Sequence, residues 1–264
     1  MAEHAILTAL TADAPPPDGI TCLAVRTLGE ADIAAIEADC ANLVAHEPYS
    51  SPAKPDHPTA WTRPSGDIRQ YSLLTASGRC DDASRDHDHS CFGKRFWPAP
   101  DYPALARLLD AVPHCVNARL NWLGPGARLQ PHREAIAFHT TFDTVAVKAR
   151  FHLPVQTNPD AGLMVRGDWH HLEPGTLYLV NNGQVHSAAN DGPKPRWHLV
   201  FDCLLTSEVL AALIAQAGEP PSPFRLSEQV TPHVIRRERV TGVLAMAEHV
   251  TTQDKALVEL APVQ

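Results

Sequence analysis

With 264 residues, 44% of them hydrophobic, and a formal charge of −8, the chain can bury one sizeable core without disulfide or metal staples. The acidic balance and a pI near 6.0 supply no broad positive field, so neither nucleic acid nor an anionic membrane surface is the expected partner, and a small molecule or peptide is. Six cysteines are scattered singly with no CxxC pair, which points to reduced thiols in a cytoplasm. The opening MAEHAILTALTADAPPPDG lacks a basic region before a long apolar run, and no stretch approaches a membrane span.

In chain order, residues 1–20 are rich in Ala, Thr and Pro and read as an extended arm. The alternation in ITCLAVRTL predicts a strand over Ile20–Leu28. Ile33, Ile36, Cys40 and Leu43 recur at helical spacing, predicting an amphipathic helix over Gly29–Glu47 packed outside a sheet. Residues 48–103 carry many prolines, glycines and charges, with one strand-like stretch at Ile68–Ala76. A loop this long in a compact domain is commonly a lid or binding loop; Trp61, Tyr71, Phe92, Phe96 and Trp97 either line it or pack beneath it. Tyr102–Pro113 predicts a short helix stopped by proline.

From Cys115 to Leu205 the texture becomes β-rich. VNARLNWL, ARLQPH, TVAVKARFHLPVQT, GLMVRGDWHHL, EPGTLYLVNNG, QVHSAAN and RWHLVFDCLL are divided by Gly, Pro and Asn, the pattern of a sandwich or open barrel. A helix is expected at Ser207–Gly218, capped by Ser207, within a helical C-terminal cap spanning 206–264 beyond a core of 1–205.

Among 15 histidines, His87, His89, His170 and His171 read as solvated loop residues. The informative group is PHRE, Pro131–Glu134, together with His186 and Arg196. On an extended strand His132 and Glu134 point the same way, and one later histidine completes a face of two imidazoles and a carboxylate, the set used by non-haem iron(II) oxygenases. Arg133, between them, points away and takes no role.

LGPGARLQPHRE, RFHLPVQTNPDAG, EPGTLYLVNNGQVHSAAN and PRWHLVFD, in that order and spacing, resemble the aspartyl/asparaginyl β-hydroxylase family, whose bacterial members include cis-proline hydroxylases. The resemblance implies a mainly β, double-stranded β-helix (cupin-like jelly roll) and an iron(II)/2-oxoglutarate-dependent dioxygenase using O2. It assigns His132, Glu134 and His186 to the metal; Arg196, with Asn121, to the distal carboxylate of 2-oxoglutarate; His152 to its metal-bound end; and Arg150 to a substrate carboxylate. Bacterial relatives usually carry aspartate where this chain has Glu134, and a glutamate there favours hydroxylation. Without the resemblance, Arg196 could pair with Asp191 or Asp202, Arg150 could be a surface cation and His152 a core imidazole. A free or carrier-tethered amino acid is the first expected substrate and a peptide side chain the second; a cupin-like metal-binding protein without 2-oxoglutarate is the competing class. Arg196 discriminates, having no purpose without a carboxylate to hold.

Overall fold

The computed structural model describes residues 22–58, 64–88, 93–112, 114–134, 137–139, 144–204 and 235–236. The expected N-terminal arm, the 207–218 helix, the 206–264 cap, Trp61, His89 and Phe92 lie outside the described residues.

Two antiparallel sheets carry the architecture. The larger runs β1 (Cys22–Thr27), β9 (Thr176–Val180), β6 (Thr144–Gln156), β11 (Arg196–Leu204), β3 (Cys115–Leu123), β2 (Ile68–Ser72), with β5 (Ala137–His139) and β12 (Ile235–Arg236) pairing onto β6. The smaller runs β4 (Arg128–His132), β10 (His186–Asn190), β7 (Ala161–Val165), β8 (Asp168–His170). Neighbours in the sheets are far apart in sequence, and the result is a double-stranded β-helix of the cupin type. Helices α1 (Glu30–His46) and α2 (Pro103–Asp110) pack on it. No helix among the described residues is long and apolar enough to cross a membrane.

The larger sheet is covered on both faces, and strand alternation sorts its residues. Phe151 and Leu153 of β6, Leu199 and Phe201 of β11 and Leu120 of β3 join Ile36, Cys40 and Leu43 of α1 and Leu105 and Leu109 of α2 in one core. Each such side chain contributes about 1.5–3 kcal/mol through burial. Their sequence neighbours Arg150, His152, Arg119, Asn121 and Val200 turn to the other face and line a cavity. A smaller cluster of Ile68, Leu123, Leu163, Val165, Val180 and Ala188 joins the two sheets.

Local chemistry sets several boundaries. Pro103 begins α2, and Asp39 of α1 accepts hydrogen bonds from the Ala104 and Leu105 amides at 2.7 and 3.0 Å, capping that helix from its neighbour. GLMVRGDWHHL is two strands rather than one piece: Arg166 and Gly167 have φ of 55° and 92° and turn β7 back onto β8, as a two-residue hairpin of this hand requires. The stretch 48–103 is more ordered than its composition predicts. β2 pairs along β3, Tyr71 is wholly buried, and Trp97 donates to the Thr75 carbonyl at 2.9 Å with Arg95 stacked on its ring.

Candidate active site

His132 ends β4 and stands opposite His186, which opens β10. Cross-strand neighbours in direct register hold their side chains together, and the two imidazole centroids are 4.2 Å apart. Glu134, two residues on, is anchored by its own amide, which donates to the Asn182 carbonyl at 3.1 Å. Its Oε1 lies 3.9 Å from His132 Nε2 and 3.8 Å from His186 Nε2, so these three side chains could hold one metal ion.

The imidazoles are presented in a defined tautomer. His132 Nδ1 lies 2.7 Å from the Gln130 carbonyl and His186 Nδ1 2.9 Å from the Gln184 carbonyl. A carbonyl only accepts, so each Nδ1 carries a proton, and each Nε2 faces Glu134. Burial, reinforced by the His132 ring, pushes the His186 imidazolium down to about 4, which keeps that ligand neutral near pH 7.

Behind Glu134 is a buried ionic network. Arg150 donates through Nε and Nη2 to the two Asp202 oxygens at 2.7 and 2.8 Å, and through Nη1 to Glu134 Oε1. Lys148 Nζ lies 3.8 Å from Glu134 and 3.7 Å from Asp202, and Asn182 donates to Glu134 Oε2 at 3.3 Å. Burial opposes ionisation of Glu134, but the positive charge of Arg150 outweighs it and holds the carboxyl well below its usual range. Asp202 is lowered in the same way, burial being overcome by Arg150 and Lys148.

At the other end of the cavity stands Arg196, 2% exposed. Both carboxylates that might have paired with it are engaged elsewhere: Asp202 by Arg150, and Asp191 by Arg128 at the surface. Its Nη2 donates to His198 Nδ1 at 2.9 Å, and its Nε has no hydrogen-bond partner among the described residues. Burial alone pushes the guanidinium down to about 9. His198 lies across β3–β11 from Asn121, and its Nδ1 is 3.4 Å from that of His152. Burial first, then the Arg196 charge, lowers both imidazoles well below their ordinary value. The cavity is lined by His132, Glu134, His186, Arg196, His152, Asn121 and Arg150 together with Arg119, Gln70 and an apolar wall. All seven residues singled out from sequence therefore meet in one space, while His170 and His171 do not line it.

Residues 98–205 match the family profile described as Aspartyl/Asparaginyl beta-hydroxylase. That segment resembles the family. No curated protein matches the chain in sequence. Among solved structures, this chain is similar to the non-heme alpha-ketoglutarate-dependent epimerase SnoN from nogalamycin biosynthesis, with 16% identity, a TM-score of 0.44, and 76% of this chain and 81% of that one covered. It is also similar to a 2OG-Fe(II) oxygenase family oxidoreductase from Burkholderia pseudomallei, with 14% identity, a TM-score of 0.41, and 63% and 77% covered. A predicted oxalate decarboxylase from Thermotoga maritima shares 12% identity at a TM-score of 0.32 over 54% and 84% of the chains.

Sequence reasoning passed over four residues of the cavity and its surround: Arg119, Lys148, His198 and Asp202. All lie on the same strand faces as residues it did select. Counting two along from Asn121, Arg150 and Arg196 reaches Arg119, Lys148 and His198, and two along from Val200 reaches Asp202.

Proposed function

We propose that this chain is an iron(II)- and 2-oxoglutarate-dependent dioxygenase that hydroxylates an unactivated carbon of an amino acid, free or tethered to a carrier. The observation that carries the reading is Arg196, a buried guanidinium without a carboxylate partner among the described residues, in the same cavity as His132, Glu134 and His186. A buried charge is stable only when something compensates it, and a planar fork suits a carboxylate brought in by a ligand.

His132 and His186, through Nε2, and Glu134, through Oε1, are the residues that would hold the ion. Two neutral imidazoles and one carboxylate leave coordination positions for other ligands, and this donor set suits iron(II). When bound, the iron supplies oxygen activation coupled to decarboxylation of 2-oxoglutarate, and the protein supplies position and shielding. Arg196 takes the distal carboxylate, with Asn121 beside it. His198 accepts from Arg196 and so orients the fork, and His152 stands nearer the metal-bound end. Ile68, Leu123, Leu163 and Val200 exclude water from the reacting carbon. Arg150, clamped by Asp202, keeps Glu134 ionised and aimed at the histidines. Free thiols at Cys22, Cys40, Cys80, Cys115 and Cys203 suit a cytoplasmic setting.

The test is succinate formation from 2-oxoglutarate with iron(II) and ascorbate across the common amino acids. Stimulation by one of them, lost in Arg196→Ala, is the expected result. Iron binding with no succinate from any of them would replace this reading with that of a metal-binding cupin.

A further inference from the structure

A third buried arginine, besides Arg150 and Arg196, lines the cavity. Arg119 on β3 is 6% exposed and lines the cavity beside Gln70 and Pro52. Its Nε has no hydrogen-bond partner among the described residues, and its only ion pair there is with Asp86, at 3.9 Å. That is too long for a hydrogen bond. Asp86 is itself held by Gln70 and by Ser72, whose hydroxyl donates at 3.1 Å. The family resemblance assigns a substrate carboxylate to Arg150, but all three Arg150 nitrogens are already hydrogen-bonded to Asp202 and Glu134.

Register separates the two unfilled guanidinia. Leu123, four residues beyond Arg119 on β3, pairs with Arg196, so the two arginines stand about 13 Å apart along one sheet face. An anion spanning from Arg196 to the histidine pair leaves Arg119 with only its long ion pair to Asp86.

We propose that Arg119 binds the carboxylate of the substrate, which makes that substrate a small acid rather than an internal peptide residue, whose backbone carries no free carboxylate. This deepens the proposed function and rests on it. Gln70, on the neighbouring strand, holds Asp86 away from the fork and shapes the end of the site.

The experiment is calorimetric titration of the full chain, saturated with Mn(II) and 2-oxoglutarate, with the common amino acids and with their carboxamides. At least one free acid binds, and its amide binds about 10- to 100-fold more weakly, as loss of one charge-assisted contact requires. In Arg119→Met the acid falls to the level of the amide, while Arg119→Lys retains part of the difference. Unchanged 2-oxoglutarate affinity in Arg119→Met demonstrates that the variant is folded. An acid and amide that bind alike, a panel in which no acid binds, or discrimination that survives Arg119→Met overturns the inference while leaving the proposed function standing. Failure of the native chain to bind 2-oxoglutarate overturns both.

Discussion

Arg196 and His198 are two apart on β11, and Nη2 of the arginine donates to Nδ1 of the histidine at 2.9 Å. The histidine is therefore neutral with its proton on Nε2, and it is the only side chain among the described residues that receives a hydrogen bond from this guanidinium. Replacing Arg196 by Met raises the dissociation constant for 2-oxoglutarate roughly 100-fold, since a buried carboxylate loses its cation. His198→Ala frees the fork to rotate and raises the same constant about ten-fold. Titration of the Mn(II)-loaded chain checks both, and metal affinity stays unchanged in each.

Metal affinity answers to the other end of the cavity. His186→Ala removes a ligand whose tautomer the Gln184 carbonyl sets, and weakens Mn(II) binding by more than about 100-fold, beyond the loss expected from changing an outer partner. Glu134→Gln keeps the shape but removes the charge, and weakens binding too. Retention of native affinity in His186→Ala would remove the triad from consideration.

The Arg150–Asp202 pair is structural as well as positional. Both side chains are nearly inaccessible, and removing one partner of a buried pair strands the other. Asp202→Ala is expected to lower unfolding stability by about 3–5 kcal/mol, read as a shift in urea midpoint, and to weaken Mn(II) binding because Glu134 loses its clamp. A variant as stable as the native chain would show that Glu134 alone compensates Arg150.

Asp86 gives the pH dependence a sign. Burial raises its carboxyl from the ordinary 3.8 to about 6, against the opposing pull of Arg119 and Ser72. The folded chain thus holds this proton more tightly than the unfolded chain. Its contribution is fully present below pH 3.8 and is lost as pH rises through 6. Asp86→Asn cannot titrate, so the stability of the native chain relative to the variant falls by about 3 kcal/mol across that window. Urea unfolding of both proteins at several pH values measures it; a rise instead would mean that Arg119 outweighs burial.

Much of this was legible without coordinates, because strand periodicity is local. α1, α2 and most of the strands between Cys115 and Leu204 follow from apolar spacing and turn residues, and residues two apart on a strand, such as Arg150 and His152, share a side. Two features were less legible. The Arg166–Gly167 turn hides inside an apolar-polar run because an arginine in a left-handed conformation leaves no compositional mark. The order of 48–103 depends on β2 pairing with β3 nearly fifty residues away, and a proline-rich composition does not reveal such a partner.

The chain's own order of residues determined the fold class, the β-hydroxylase-family resemblance and the residues that meet in the cavity, since those rest on periodicity and motif spacing. Only the tertiary structure decided which buried charges already have partners. Arg119, Arg150 and Arg196 look alike in sequence. Cross-strand register sets Asp202 opposite Arg150, Glu134 reaches it from beyond β4, and the other two guanidinia line the cavity with Nε unpartnered among the described residues, because pairing of buried charge depends on segments brought together from distant parts of the chain.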